Sequence, residues 1–176
     1  MSKRTVLSSD DIRRAITRIS HEILEQNRGS LNLLLVGIPT RGVNLANRIA
    51  EVIKENSDSE VLVGSLDVTM YRDDLSDKPT RPVGTTDLPN TGVAGKVIVL
   101  VDDVLFSGRT IRAALDALND HGRPSAVRLA VLVDRGHRQL PIRADFVGKN
   151  LPTAFAERIS VKLQEVDGLD EVVIED

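Results

Sequence analysis

The chain has 176 residues, of which 41% are hydrophobic, and this is enough for one domain with a substantial packed core. Charged residues make up 28% and the formal net charge is -3, so overall charge does not indicate nucleic-acid binding and any basic surface must be local. The chain has no cysteine, which excludes disulfides, thiolate metal sites and a cysteine nucleophile, and fits a reducing, cytoplasmic compartment.

The first part of the chain predicts helices and strands in alternation. Isoleucines recur at helical spacing after the start signal Ser8-Ser9-Asp10, so a helix is expected from there to Asn27-Arg28-Gly29. The almost unbroken apolar run 31–38 is typical of a strand that is buried on both faces. A short turn then leads to an amphipathic helix over 43–54, and 61–70 is expected to form the next strand.

The segment 71–91 has a different composition from its neighbours. It is polar, contains Pro79, Pro82 and Pro89, and lacks apolar periodicity. A stretch of this length without regular structure is usually either a functional lid or a mobile surface loop. The residues of the segment alone favour neither of the two.

The second part of the chain continues the alternation. A strand is expected at 96–101, a helix over 110–121, a strand at 127–133 and a short strand at 145–148, and 158–175 predicts a terminal hairpin. This order predicts an α/β fold, a mainly parallel central sheet flanked by helices. In such sheets ligands bind beyond the carboxyl ends of the strands, at a switch in strand order.

The segment 97–110, VIVLVDDVLFSGRT, combines a buried strand, two adjacent acids and a small-residue loop that opens a helix. Asp102 and Asp103 suit the two hydroxyls of a ribose and can assist Mg²⁺ directly or through water. Neighbouring residues on a strand point to opposite faces, so both acids meet one ligand only if the strand is already ending. Amide N–H groups at Ser107, Gly108 and Thr110 predict an anion cradle, and hence a site for an activated ribose phosphate.

An ordinary strand-loop-helix junction, with the two aspartates as helix caps, is the alternative for this segment. Other nucleotide motifs do not fit. A P-loop needs a Lys before the Ser/Thr and an earlier Gly, whereas Arg109 precedes Thr110 and Asp103 stands at the glycine position. The dinucleotide pattern G-x-G-x-x-G and the hydrolase elbow G-x-S-x-G are also missing from the chain.

VLVDDVLFSGRT resembles the phosphoribosyl-diphosphate (PRPP) motif of the type I phosphoribosyltransferases. ITRISHEILE, VGIPTRG, LDVTMYRDDL and LVDRGHRQLPIRADFVGKNLPT are similar to one group of that family, the bifunctional pyrimidine operon regulators that are also uracil phosphoribosyltransferases. The resemblance runs from about Arg13 to the terminal hairpin. It implies a single domain of the type I phosphoribosyltransferase fold over 1–176, with a flexible lid at about 71–91 and a small base-binding hood from about 134–155 and the hairpin.

The resemblance implies a role for each loop of the site. The catalytic residues would be Asp102, Asp103 and Arg41, and the two acids would also hold Mg²⁺ through PRPP or water. Pyrophosphate would be bound by Pro39, Thr40, Arg41 and Gly42, unless these residues are a plain strand-to-helix turn. The phosphate and ribose of PRPP or UMP would contact Val104, Leu105, Phe106, Ser107, Gly108, Arg109 and Thr110.

Two further features follow from the same resemblance. Tyr71 and Arg72 would close over PRPP as parts of the lid. The pyrophosphate loop of the family often contains an unusual cis peptide bond, which is expected here at Ile38-Pro39.

The resemblance also bears on the base. Purine-specific enzymes of the family carry an Asp three residues beyond the second acid, and this chain has Phe106 there, which argues for a pyrimidine. A structural role for Asp134 or His137 is favoured over a catalytic one. The hood that reads the uracil edge, mainly through backbone groups, would come from Asp134, Arg135, Gly136, Phe146 and Val147.

A second activity is implied, the binding of a pyrimidine-gene leader RNA in a manner that UMP favours. The basic surface for it, on a homodimer or higher homo-oligomer, would include Arg14, Thr17, Arg18, His21, Arg138, Arg143 and Lys149. Without the resemblance, the helix face 14–21 is more typical of solvated surface. Two alternatives stay open, a phosphoribosyltransferase for another base without RNA binding, and an RNA-binding regulator with vestigial catalysis.

Overall fold

A computed structural model describes residues 2–74 and 83–176. In chain order its elements are β1 (Lys3–Leu7), α1 (Ser9–Asn27), β2 (Leu33–Gly37), α2 (Arg41–Asn56), β3 (Leu62–Ser65), a 3-10 turn (Thr69–Tyr71), β4 (Val97–Leu105), α3 (Arg109–Asn119), β5 (Ala126–Asp134), β6 (Phe146–Asn150), β7 (Arg158–Lys162), α4 (Gln164–Asp167) and β8 (Glu171–Glu175).

The central sheet has five parallel strands in the order β3-β2-β4-β5-β6. Every residue of β2 is buried, and its side chains alternate between two separate clusters. Leu33 and Leu35 pack on one face of the sheet, and Leu34 and Val36 pack on the other. The prediction of a strand buried on both faces is therefore confirmed, and each such leucine contributes about 1.5–3 kcal/mol by leaving water.

Helices cover both faces of this sheet. Helices α1 and α2 pack on the face that contains Leu35, and α3 packs on the other. Helix α1 begins with a capping box, in which Ser8 and Asp11 exchange backbone-to-side-chain hydrogen bonds of 3.3 and 2.9 Å, and it ends at Arg28 in the left-handed conformation. Both ends of this helix agree with the prediction. None of the helices in the described ranges is long and apolar enough to cross a lipid bilayer.

A second, antiparallel sheet has the order β1-β8-β7. Its β7–β8 pair confirms the terminal hairpin, with the short helix α4 between the two strands. Strand β1 was not predicted, because its residues up to Thr5 are exposed and their sequence, Lys3-Arg4-Thr5, has no apolar alternation.

Two strands end at residues other than those predicted. The strand expected over 61–70 ends at Ser65, where its ladder stops at a two-way bridge to Asp87, although Leu66 and Val68 remain buried. Strand β4 is longer than expected and continues to Leu105. Of the lid expected at about 71–91, residues 75–82 lie outside the described residues, so the structure describes the two ends of that segment.

The strand order places one crevice at the centre of the sheet. From β2 the chain crosses through α2 to β3 on one side, whereas β4 crosses through α3 to β5 on the other side. The carboxyl ends of β2 and β4 are therefore neighbours at the switch in strand order, where ligands of open α/β sheets bind.

Candidate active site

The loop that follows β2 packs tightly against β4. A Cβ atom at Gly42 would lie 2.3 Å from the carbonyl oxygen of Val101 and 3.3 Å from the Cα of Asp102, and the amide of Ile38 donates to the same Val101 oxygen at 2.9 Å. The cis peptide bond of this loop joins Pro39 to Thr40. The expectation of a cis bond at Ile38-Pro39 is therefore wrong by one residue. The four residues 39–42 are called the pyrophosphate loop below.

The two acids lie within β4 and do not follow it. The β4–β5 ladder pairs Asp102 with Val131 and continues through Leu105, so the expectation that the strand has already ended at the acids is wrong. The carboxylate of Asp102 accepts the amide N–H of Asp103 at 2.9 Å, and the carboxylate of Asp103 accepts that of Val104 at 2.8 Å. Asp102 is 9% exposed, and Asp103 is half-buried.

The surroundings of Asp102 disfavour the negative charge of its carboxylate. Burial, followed by the charge of Asp103, raises the pKa of Asp102 well above its ordinary value of 3.8, against the opposing effects of the Asp103 amide and the Arg72 guanidinium. A buried carboxyl beside a second carboxyl favours ligands that bring hydrogen-bond donors or positive charge. Ribose hydroxyls and a divalent cation meet that requirement.

Residues 106–108 connect β4 to α3, and together with the first two residues of that helix, 109 and 110, they are called the phosphate loop. Gly108 has φ of 92°, a left-handed conformation that favours glycine. The loop is anchored through Ser107, whose carbonyl accepts the amides of Gln139 and Leu140 at 3.0 and 3.2 Å. Within the described part of the chain, the amide N–H groups of Ser107, Gly108 and Thr110 donate to no protein acceptor. With the start of α3 these amides are free to bind an anion, which is what the predicted cradle requires.

Residues 71–74, the lid stem, lie against the phosphate loop. Arg72 donates from Nη1 to the hydroxyl of Thr110 at 2.9 Å, and its other edge binds Asp74. Asp73 accepts from Arg109 at 2.7 Å and from Arg112 at 2.8 Å. Tyr71 has a different partner, because its hydroxyl is bonded to Asp120 beyond the carboxyl end of α3. The structure thus brings Arg72 to the site and directs Tyr71 away from the phosphate loop.

The loop after β5 forms the hood together with residues 152–155. The guanidinium of Arg135 lies 4.3 Å from the ring centroid of Phe106 and also donates to the carbonyl of Glu157 at 2.8 Å. The rings of His137 and Phe155 are in edge contact, with centroids 5.6 Å apart. Phe155, which is 70% exposed, was not predicted, and its signal in the sequence was an aromatic ring in the loop 150–157 of a chain with only 2% aromatic residues. A cleft of about 480 Å³ opens here, lined in part by Asp134, Gly136, His137, Asn150 and Thr153.

Strand β6 contributes less to the hood than predicted. The side chain of Phe146 is 3% exposed and belongs to the core. The carbonyls of Val147 and Gly148 accept from Nη1 and Nη2 of Arg18, at 3.1 and 2.6 Å. The peptide groups that would have faced a base are therefore bonded to α1.

The predicted basic surface is only partly assembled in one chain. Arg14 and His21 are exposed on α1, which packs against β6, and Lys149 is exposed in β6. Arg143 is also exposed, in the loop before β6.

Arg138 occupies a different position from the other members of that set. Its guanidinium donates to the carbonyls of Phe106 and Ile142 at 2.9 and 2.8 Å and to the carboxylate of Asp134 at 2.5 Å. Its charge is thus used to hold the phosphate loop and the hood together, and the structure gives no support to a place for Arg138 on an RNA-binding surface.

The acid pair is the candidate for a metal site. The described residues contain no group of three or more His, Cys, Asp or Glu side chains that could enclose a metal ion. Mg²⁺ needs no such cage, because it binds one or two carboxylates together with substrate oxygens and water. Asp102 and Asp103 fit that mode of binding.

Comparisons with known proteins agree with this geometry. Residues 4–165 match the family model for the phosphoribosyl transferase domain. The chain is 66% identical to the bifunctional protein PyrR of Leifsonia xyli subsp. xyli over 181 residues, covering 100% of this chain and 98% of that protein. The chain belongs to the PyrR branch of the phosphoribosyl transferase family. A second PyrR protein, from Streptomyces coelicolor, is 60% identical and covers 97% of this chain and 89% of its own length.

Solved structures of other phosphoribosyltransferases share the fold of this PyrR-family chain. A hypoxanthine-guanine phosphoribosyltransferase of Bacillus anthracis superposes with a TM-score of 0.73 at 18% identity, covering 98% of each chain. The hypoxanthine phosphoribosyltransferase of Trypanosoma cruzi gives a TM-score of 0.73 at 17% identity, covering 97% of this chain and 95% of that one. The predicted type I phosphoribosyltransferase fold is therefore confirmed for this member of the PyrR family.

Proposed function

We propose that the chain is a uracil phosphoribosyltransferase, which converts uracil and PRPP to UMP and pyrophosphate, and that it also regulates pyrimidine biosynthesis genes by UMP-responsive binding of leader RNA. The observation that carries the enzymatic part is the close packing of the pyrophosphate loop, at Gly42, against β4 where the acid pair begins. This packing places a loop for the leaving group beside two carboxylates for the ribose.

The ribose binds at the acid pair. Although both acids lie within β4, their carboxylates interact, because the charge of Asp103 adds to the effect of burial in raising the pKa of Asp102. The ribose hydroxyls donate to both carboxylates, which offsets the burial and the repulsion. As pyrophosphate departs from the anomeric carbon, the sugar acquires oxocarbenium character, and the two carboxylates stabilise that positive charge.

The two anionic ends of PRPP bind at separate loops. The 5′-phosphate is held by the free amides and the hydroxyls of Ser107 and Thr110, with Arg72 adjacent at Thr110. Pyrophosphate is held by the backbone of residues 39–42 and by the guanidinium of Arg41. Mg²⁺, when bound with PRPP at the acid pair, would supply further neutralisation of the leaving pyrophosphate.

Uracil binds under the hood, between the phosphate loop and the cleft at 134–137. Phe106, in the position of the purine-contacting Asp of other family members, is covered by Arg135 and presents no carboxylate to a purine. The base is instead bounded by Phe106, His137 and Phe155. Closure of the lid over PRPP, led by Arg72, excludes water from the reactive sugar.

A direct assay tests this proposal. The purified chain is given PRPP, Mg²⁺ and uracil, adenine, hypoxanthine or orotate in turn, and nucleotide formation is measured. We expect UMP as the main product, and loss of at least about 10²-fold in turnover when Asp102→Asn and Asp103→Asn are combined. Near-normal turnover of the double variant, or a purine nucleotide as the main product, would contradict the assignment.

RNA binding is the second proposed function. It is supported by the exposed basic side chains of α1, Arg14, Arg18 and His21, with half-buried Thr17 among them, and by exposed Lys149 of β6, against which α1 packs. Arg143 is also exposed, but it lies beside Leu115 and Val127 on the α3 face of the sheet. A homodimer or higher homo-oligomer in the cytoplasm, where messenger RNA and PRPP are both present, would complete the surface. Thr17→Ala and His21→Ala are expected to weaken leader-RNA binding while UMP formation is kept. Analytical sedimentation measures the oligomeric state. RNA affinity should fall as the salt concentration rises, and an affinity that does not depend on salt would contradict a basic RNA-binding surface.

A further inference from the structure

The terminal hairpin is fastened to α2 at two points. Arg41, at the start of α2, forms a bidentate ion pair with Asp167 of α4, with Nε–Oδ2 at 3.2 Å and Nη2–Oδ1 at 2.8 Å. Arg48, two turns further along α2, binds both Glu165 and Asp170 with distances of 2.6 to 2.9 Å. Only the first of these two attachments contains a residue of the pyrophosphate loop.

The carboxylate of Asp167 is itself held in place. Its Oδ2 accepts the amide of Leu163 at 2.9 Å, and its own amide donates to the carbonyl of Leu163 at 2.7 Å. The hydrogen bond from Arg41 and then the amide of Leu163 lower the pKa of Asp167, so the carboxylate is charged at neutral pH. Arg48 also binds Asp170, whose Oδ1 accepts the amide of Gln164 at 2.7 Å, so the start of α4 is held independently of Glu165 and Asp167 is a rigid partner for Arg41.

We propose that Asp167 is a positioning residue for the transfer reaction, which orders the guanidinium of Arg41 for pyrophosphate before PRPP binds. The inference rests on the proposed function, in which Arg41 contacts pyrophosphate. Asp167 uses Nε and Nη2 of Arg41, and among the described residues Nη1 donates to no protein acceptor. One edge of the planar fork is thus held and the other stays available to an anion.

Ordering matters because a free arginine samples many rotamers. A guanidinium that is already fixed loses little freedom when pyrophosphate binds, so the interaction is stronger than with a mobile side chain. The terminal hairpin, which contains no residue of the predicted phosphate or pyrophosphate loops, thereby becomes part of the PRPP site.

The test compares Asp167→Asn with Glu165→Gln, a matched amide substitution in the same short helix that contacts Arg48 and not Arg41. We expect Asp167→Asn to raise the KM for PRPP by about 3- to 10-fold, as for one immobilised side chain, and to leave the KM for uracil within about twofold. Glu165→Gln is expected to change neither KM. Calorimetry with pyrophosphate and Mg²⁺ should show weaker binding for Asp167→Asn by the same factor.

Several results would contradict the positioning role of Asp167. An unchanged KM for PRPP, an equal rise of both KM values, or tighter pyrophosphate binding, as expected if Asp167 competed with the anion, would each exclude positioning. In the Arg41→Ala background, Asp167→Asn should have no further effect on the KM for PRPP, and an additive loss would contradict the coupling.

If Asp167→Asn fails to fold, Asp167→Glu, which keeps the charge and moves it, is expected to give a smaller rise in the KM for PRPP. Absence of UMP formation by the wild type would refute the proposed function itself. If the wild type is active and one of the contradicting results is found, only the role of Asp167 is refuted.

Discussion

Gly42 of the pyrophosphate loop lies against the carbonyl oxygen of Val101, so close that a Cβ atom at Gly42 would be 2.3 Å from that oxygen. The same oxygen accepts the amide of Ile38, which fixes the beginning of the loop as well as its end. The relative position of the leaving-group loop and the acid pair is therefore set by backbone contact, and a side chain between them would separate the two halves of the site.

Gly42→Ala is expected to disrupt this contact. The added methyl must displace backbone, which costs about 1–3 kcal/mol in the free energy of unfolding and moves the loop away from Asp102. Urea unfolding and the KM for PRPP measure the two effects. Gly95→Ala is the control, because Gly95 lies outside the site and a Cβ there would meet no atom within 4 Å, while its φ of 72° still costs about 1–2 kcal/mol of backbone strain. It should lower the free energy of unfolding and leave the KM for PRPP unchanged. Equal behaviour of the two variants would contradict the importance of the contact.

Asp102→Asn is expected to stabilise the fold while it removes activity. The folded chain binds the Asp102 proton more tightly than the unfolded chain does, so this group's contribution to the free energy of unfolding falls as pH rises from 3.8 towards the raised pKa. The variant should have a higher Tm than the wild type at neutral pH, by about 2–4 °C for each kcal/mol relieved, and the difference should disappear below the ordinary pKa.

The control for that effect is Asp116→Asn, the same substitution at an exposed position of α3. It should change the free energy of unfolding by no more than about 0.5 kcal/mol at any pH. If Asp102→Asn were less stable than the wild type at neutral pH, the electrostatic penalty at the acid pair would be refuted.

Asp73→Asn is expected to strengthen PRPP binding. The carboxylate of Asp73 engages Arg109 and Arg112 at the entrance of the phosphate loop, where it competes with a phosphate for the same donors. The contact is about one-third exposed, so its removal is worth about 0.2–1 kcal/mol, a decrease of about 1.5- to 5-fold in the KM for PRPP. Asp116→Asn, which also lies beside Arg112, should leave this KM unchanged, and a rise for Asp73→Asn would mean that the lid stem assists binding.

Phe155→Ala is expected to affect the base and not PRPP. Phe155 is an exposed aromatic ring beside His137 and Phe106, in a position to stack on a pyrimidine. Stacking of a base on an aromatic ring contributes about 1–3 kcal/mol, so the KM for uracil should rise about 5-fold or more. Leu31→Ala is the control, because Leu31 is also an exposed apolar residue but precedes β2, at the end of the sheet away from the carboxyl ends of the strands. An unchanged KM for uracil would remove Phe155 from the hood.

Much of the fold follows from local patterns. Helix α1 could be predicted from its isoleucine spacing and its capping residues, and β2 from its unbroken apolar run. Both patterns are visible in the sequence because they reflect which side chains are buried. Strand β1 could not be found in this way, since its residues up to Thr5 are exposed and it forms by pairing with β8 at the far end of the chain. The early end of β3 depends on the Ser65–Asp87 bridge, which is equally invisible to periodicity.

The residue types of the site could be predicted from the sequence, but the contacts between them could not. The acids and the small residues of the phosphate loop could be found because they lie in one continuous segment of the sequence, 102–110. The partners of charged side chains could not, because Asp167 meets Arg41 and Asp134 meets Arg138 only after folding. The sequence therefore indicated that Arg138 is basic, but not that its guanidinium holds Phe106 and Asp134 together.

The most direct test of the ribose phosphate site is a crystal structure of the chain grown with UMP. We expect the phosphate of UMP within hydrogen-bond distance of the amides of residues 107–110, and the ribose hydroxyls on the carboxylates of Asp102 and Asp103. UMP bound at any other position, with these amides and both carboxylates free of ligand, would contradict the assignment.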